Sequence, residues 1–316
     1  MSMDRRRGLL THAALLLALV ACTAEQPGGR KDTAIPVESL PDSSRPPVNR
    51  LAVVWDTAAG DYFAVAGETP GDAFLIYPGY TSADRLDTLR VDSTAVRGLE
   101  LELLGAADSA LRARVSGFEP DTVSDCSSWP AARVTLSDGQ SPARPWSIAF
   151  PPGRVTPAPF DSLPALSRAD STRLTIAVAR AASKVEGDTA AAFRGRPFVV
   201  RQANRFRLDD GREAVLAEVV RVVTQEANPL QEQLLLILEA DTASQRATLT
   251  PAFAHREIGL EEALASIELT GVLRLRDGTW TLLLHRELGE GSRFELLERA
   301  RPGRWTLRWR SAYAGC

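Results

Sequence analysis

Beyond residue 50 the chain consists of short apolar runs separated by turn-forming residues, a pattern of antiparallel β-structure rather than of long helices. Residues 51–55, 62–66 and 73–77 read as three strands, with Ala59-Gly60-Asp61 and Thr69-Pro70-Gly71-Asp72 turning the chain between them. Residues 96–104 and 110–118 read as a further pair, while 119–130 has loop composition and 142–164 is studded with prolines. One segment is helical in period: Leu174, Ala177, Val178, Ala181 and Val185 recur at helical spacing after capping oxygens on Ser167 and Asp170, and Gly187 stops the run. Strand signals then return. Residues 198–208 and 214–223 flank Asp209-Asp210-Gly211, 234–238 follows Asn228-Pro229, and 267–275 and 280–285 flank the hairpin signal Asp277-Gly278. After Pro302-Gly303, the large apolar residues Trp305, Leu307, Trp309 and Tyr313 alternate with Thr306, Arg308 and Arg310, which predicts one buried strand face. The expected fold is mainly β, antiparallel and hairpin-rich, with one substantial helix; α+β is the alternative class. The proline stretch divides the body into 50–160 and 161–316, read either as two joined regions or as one integrated domain.

The first fifty residues follow a different pattern. Arg5, Arg6 and Arg7 precede an apolar run over 9–20, interrupted by Thr11 and His12, and then come Leu19, Val20, Ala21 and Cys22. A cationic start, a short apolar stretch and a small residue before a cut make a secretory signal peptide; a bilayer span would need about 20 apolar residues. The quartet Leu-Val-Ala-Cys resembles the lipobox of bacterial lipoproteins. That resemblance implies cleavage after residue 21, acyl chains on Cys22 and a permanent membrane anchor. Because Thr23 rather than an aspartate follows, it also implies the outer membrane of a two-membrane cell, on its periplasmic or surface face. The alternative is an ordinary signal peptide with an incidental cysteine. Residues 22–49 then read as the lipidated cysteine and a disordered tether, since prolines, glycines and polar residues there cannot bury enough surface to offset ordering entropy.

Charge and cysteine usage narrow the picture further. The chain carries 37 basic and 40 acidic residues, and removal of 1–21 takes away Arg5, Arg6, Arg7 and Asp4. No basic patch stands out, so nucleic acid is not an expected partner. Lys31 and Lys184 are the only lysines. An exported chain meets an oxidising compartment, so Cys126 and Cys316 are expected to form a disulfide; two free thiols are the alternative.

Candidate chemistry is sparse. The sequence lacks a Gly-x-Ser-x-Gly elbow, a phosphate loop, His-Glu-x-x-His, Cys-x-x-Cys and Gly-x-Gly-x-x-Gly. Beyond the leader its histidines are His255 and His285, set in the similar tripeptides His255-Arg256-Glu257 and His285-Arg286-Glu287. In an extended strand each His and Glu share a face and could hold a metal or a proton; a structural repeat or surface strand ends would produce the same similarity. Asp209-Asp210-Gly211 with Glu213 resembles the calcium loops of FG-GAP-type β repeats, which implies oxygen ligation of calcium. The alternating Asp-x-Asp-Gly-Asp spacing of those loops is absent, and an Asp-Gly hairpin turn accounts for the residues as well. Glu119, Asp121 and Asp125 beside Cys126 are read as turn-capping acids, and Glu261 and Glu262 as solvated ones.

These readings favour a non-enzymatic envelope lipoprotein in a binding, assembly or structural role, with the membrane and an unknown protein or glycan as partners and no resident cofactor. The alternatives are a hydrolase whose site is assembled from distant residues, and a cation-binding β module.

Overall fold

The computed structural model describes residues 60–82, 86–105, 111–119, 127–142, 145–187, 190–223, 229–240 and 248–315. All of them belong to one compact unit. The expected leader, Cys22, the tether, the strand at 51–55, and Cys126 and Cys316 lie outside the described residues.

The fold is mainly β, as the apolar pattern predicts. Its first part is a closed barrel of β1 (Phe63–Ala66), β2 (Asp72–Ile76), β3 (Glu100–Leu104), β4 (Leu111–Glu119), β5 (Ala131–Leu136) and β6 (Ile148–Phe150), in the order β1-β2-β5-β4-β3-β6. Two short strands, β7 (Val155–Ala158) and β8 (Phe160–Ser162), lead out of the barrel into two different sheets. β8 edges a second sheet of β9 (Val199–Arg207), β10 (Glu213–Val223), β11 (Leu230–Ala240) and β12 (Leu249–Leu260). β7 edges a third sheet of β13 (Ser266–Leu275), β14 (Trp280–Leu288), β15 (Gly291–Arg301) and β16 (Arg304–Arg310), with β17 (Ala314–Gly315) beside β15. Every strand pairing in the three sheets is antiparallel. Among the described residues the α-helices are a single turn, α1 (Ser93–Val96), and the long α2 (Arg168–Ala182).

The layers run α2, second sheet, third sheet, barrel. Leu234, Leu236 and Leu238 of β11 pack beneath Leu174, Val178 and Ala181 of α2. Leu235 and Ile237 of the same strand face Leu282, Leu284 and Trp305 of the third sheet. Leu283 of β14 turns the other way, onto Phe63, Ile148 and Phe150 of the barrel. This sandwiching explains why 234–238 and 282–284 read as unbroken apolar runs: their strands are covered on both faces. α2 begins where Ser167 Oγ accepts from Asp170 N–H at 3.2 Å, the cap expected from the sequence.

Two expectations are corrected, and one stretch is filled in. Residues 96–104 are not one strand: Asp92 caps α1 by accepting from Thr94 N–H at 2.8 Å, Gly98 takes φ +91°, and β3 starts only at Glu100. The proline-studded 142–164 contains the proline-free β6, paired on both sides in the barrel, and the edge strands β7 and β8; β7 holds Pro157, which an edge strand tolerates because its missing N–H can face away from the ladder. Trp305 and Trp309 do not share a face. β15 pairs Leu297 with Leu307 but Leu296 with Trp309, so a bulge at Arg308 reverses the alternation. Trp305 therefore faces the second sheet and Trp309 the barrel core, its ring 6.0 Å from Phe63.

Candidate functional site

The interior between the second and third sheets is apolar in its middle and ionic at both ends. β11 shows why: its inward residues run Gln231, Gln233, Leu235, Ile237, Glu239, polar at each extremity. The two His-Arg-Glu tripeptides belong to one of these ends.

In β12, His255 and Glu257 stand opposite Leu235 and Gln233 and so point inward; Arg256, opposite Leu234, points toward α2. In β14 the phase is inverted. Arg286 pairs with Ile267 and points inward, whereas His285 lies on the barrel side with its ring stacked 4.9 Å from Phe294. The two histidines are thus on different layers. The first pair forms as expected, with His255 Nε2 2.9 Å from Glu257 Oε1, and the second is looser, with His285 Nδ1 3.8 Å from Glu287. What joins the tripeptides is an ion pair absent from the sequence reading: Arg286 Nη2 donates to Glu257 Oε2 at 2.6 Å. Arg286, 2% exposed, also lies 3.5 Å from Glu295, which Arg293 and Arg310 approach to 3.2 and 2.7 Å. Nearby, Gln202 and Gln233 donate to the buried Glu218 at 3.0 and 2.9 Å.

Burial alone would push the Glu257 carboxyl up; the hydrogen bond with His255 and the Arg286 charge outweigh it and hold the pKa at about 2, against its ordinary 4.5. A carboxylate depressed on folding stabilises the protein fully above pH 4.5, and that contribution is lost as pH falls through 2. We expect it to be on the order of 2–3 kcal/mol at neutral pH, allowing for the part-exposure of the group. Urea unfolding of Glu257→Gln should therefore show a larger deficit against wild type at pH 7 than at pH 3. A deficit independent of pH would remove this assignment.

The other ionic end contains the Asp-Asp-Gly turn, which is the hairpin between β9 and β10, with Gly211 at φ +77°. The structure does not converge its three acids. Asp209 accepts from Trp280 Nε1 at 3.2 Å and pairs with Arg274 at 3.1 Å. Asp210 takes Arg212 at 2.6 Å, and Glu213 lies 3.8 Å from Arg205. Behind them sits Glu239, 2% exposed, which no sequence motif marked. It accepts both Arg299 Nε and Nη2 at 2.8 Å, Gly303 N–H at 3.0 Å and Trp305 Nε1 at 2.7 Å. Burial pushes this carboxyl up too, but those donors prevail and hold it below the ordinary carboxylate range.

Among the described residues no group of three or more His, Cys, Asp and Glu is placed to hold a metal ion. A cleft of about 510 Å³ opens where β7 and β8 part between the sheets, lined by Phe160, Phe206, Trp280, Arg205 and Arg274 among others. Arg286, Glu295, Glu239 and Arg299 escaped the sequence reading because single charged residues within strands carry no spacing signature. A hint existed at Glu239, a lone acid ending the run Leu-Leu-Leu-Ile-Leu-Glu. No protein-family model matches this chain, and neither a curated protein nor a solved structure matches it significantly.

Proposed function

We propose that the chain is a lipid-anchored envelope protein with a non-enzymatic binding, assembly or structural role. Acyl chains on Cys22 hold it to a membrane, the outer one where a cell has two, and residues 23–48 tether a layered β body to that anchor. One observation carries the non-enzymatic part of this reading: four of the acids singled out by sequence are directed at arginines. Glu257 faces Arg286, Asp209 faces Arg274, Asp210 faces Arg212, and Glu213 faces Arg205. A general base or a metal ligand must aim a lone pair at substrate or ion. Here those lone pairs meet guanidinium N–H groups, an arrangement that ties strands together. The same pairing weighs against calcium at Asp209, Asp210 and Glu213.

The test has two arms. Cys22→Ser is expected to move the protein from the membrane fraction to the soluble fraction, because a single anchor site carries all the acyl chains; unchanged retention in the membrane would overturn the anchor. In a deletion strain, the His255→Ala, His285→Ala double variant is expected to complement whatever envelope defect the deletion causes. Loss of complementation by a folded variant would overturn the non-enzymatic reading.

A further inference from the structure

On the α2-bearing face of the second sheet, four arginines from three elements surround one cleft of about 480 Å³. Arg194 and Arg196 come from the loop between the 3-10 turn Ala191–Phe193 and β9, Arg221 from β10 and Arg256 from β12. No aspartate or glutamate lines this cleft among the described residues.

The guanidinium groups are positioned from behind. Glu232, fully buried, accepts Arg221 Nε and contacts Arg221 Nη2, both at 2.8 Å, and lies 3.2 Å from Arg256 Nε. Arg221 also stacks 4.5 Å over the Phe198 ring. Arg256 Nη2 donates to Val185 O at 3.2 Å, just past the end of α2. Arg196 gives Nε to Ala192 O and Nη1 to Val222 O, both at 3.1 Å, leaving Nη2 outside those bonds. Arg194 is exposed at the rim. Glu232 and the negative end of the helix dipole act on Arg221 and Arg256. Arg196 and the exposed Arg194 add two further guanidiniums to the same cleft, where like charges repel unless an anion joins them.

We propose that this cleft binds a phosphoryl group carried on an organic substituent. Guanidinium forks match the several oxygens of a dianionic phosphate better than they match a single carboxylate. The volume falls in the roughly 300–1,000 Å³ range of small-molecule sites, larger than a bare ion needs. Pro197, Phe198 and Val185 offer apolar wall to the substituent. A soluble phosphate monoester and a lipid headgroup share this chemistry. The inference stands apart from the anchor on Cys22, and its test is arranged so that the anchor does not enter.

The full chain carrying Cys22→Ser is titrated calorimetrically with glycerol 3-phosphate and with inorganic phosphate. It is also co-sedimented with phosphatidylcholine vesicles that contain or lack phosphatidic acid. Binding is expected in the glycerol 3-phosphate arm, the phosphatidic acid arm or both, and the pattern tells which source fits. Arg194→Glu changes an exposed side chain, so a fold intact by circular dichroism is expected together with an affinity about tenfold or more weaker. Arg196→Ala, which keeps the rest of the cleft, should also weaken binding. Absence of binding in every arm, or binding unchanged in both variants, overturns the proposal.

Discussion

Replacing Glu239 by alanine is expected to cost about 3–5 kcal/mol of stability, the range for removing one partner of a buried ion pair. Glu239 belongs to the second sheet, and its donors Arg299, Gly303 and Trp305 belong to the third or to the turn joining β15 and β16. One carboxylate therefore fastens two sheets. Its loss leaves the Arg299 guanidinium, 10% exposed, with only a 3.4 Å contact to Asp210, and leaves the buried Trp305 indole N–H without its acceptor. The Leu235 and Ile237 side chains in the same strand would stay packed, so the deficit is electrostatic rather than a cavity effect. Chemical denaturation measures it directly. The double variant Glu239→Ala, Arg299→Met should recover part of the loss, because it removes the orphaned charge along with its partner. A single-variant deficit below about 1 kcal/mol would show that the pair is solvated and holds nothing together.

The contrast between this residue and the tripeptides shows what a single sequence conveys. Local signals were legible. The glycines of Asp209-Asp210-Gly211 and Asp277-Gly278 take φ +77° and +90° where hairpins were expected, and the helix starts at its predicted cap. Elements lacking a clean local period were not legible. β12 contains Pro251 and three charged or titratable residues in a row, a poor advertisement for a strand. It forms because it is an edge, paired only with β11 among the described residues, and because its register shifts between Ile237 and Leu238, where Pro251 enters. The His-x-Glu spacing correctly put His255 beside Glu257, yet nothing in it could place Arg286 against that glutamate. That contact depends on two sheets being stacked, with the second tripeptide one residue out of phase with the first. The arginine cleft was hidden for the same reason: Arg194 and Arg256 are 62 positions apart in the chain and adjacent only once β9 to β12 form a sheet behind α2.

The second large effect concerns Cys126 and Cys316, whose neighbours the structure does describe. Gly315 N–H donates to Ser127 O at 2.7 Å, and the two residues form an isolated antiparallel bridge. Cys126 directly precedes Ser127 in the chain, and Cys316 directly follows Gly315. The approach is fixed from a second side. Gly315 pairs with Gly291 of β15 so closely that a Cβ on Gly315 would collide with the Gly291 Cα, and Tyr313 Oη donates to Leu288 O at 2.5 Å. In an oxidising compartment we expect the two thiols to be joined. Non-reducing peptide mapping should then yield a linked pair that separates on reduction. Because the bridge would close a loop of roughly 190 residues, chain-entropy reasoning puts the loss in Cys126→Ser or Cys316→Ser at about 5 kcal/mol. Thiol alkylation of the unreduced, natively purified protein at both positions would sink the expectation. So would a Cys316→Ser variant as stable as wild type, for then the Ser127–Gly315 bridge and the glycine contact would hold this strand by themselves.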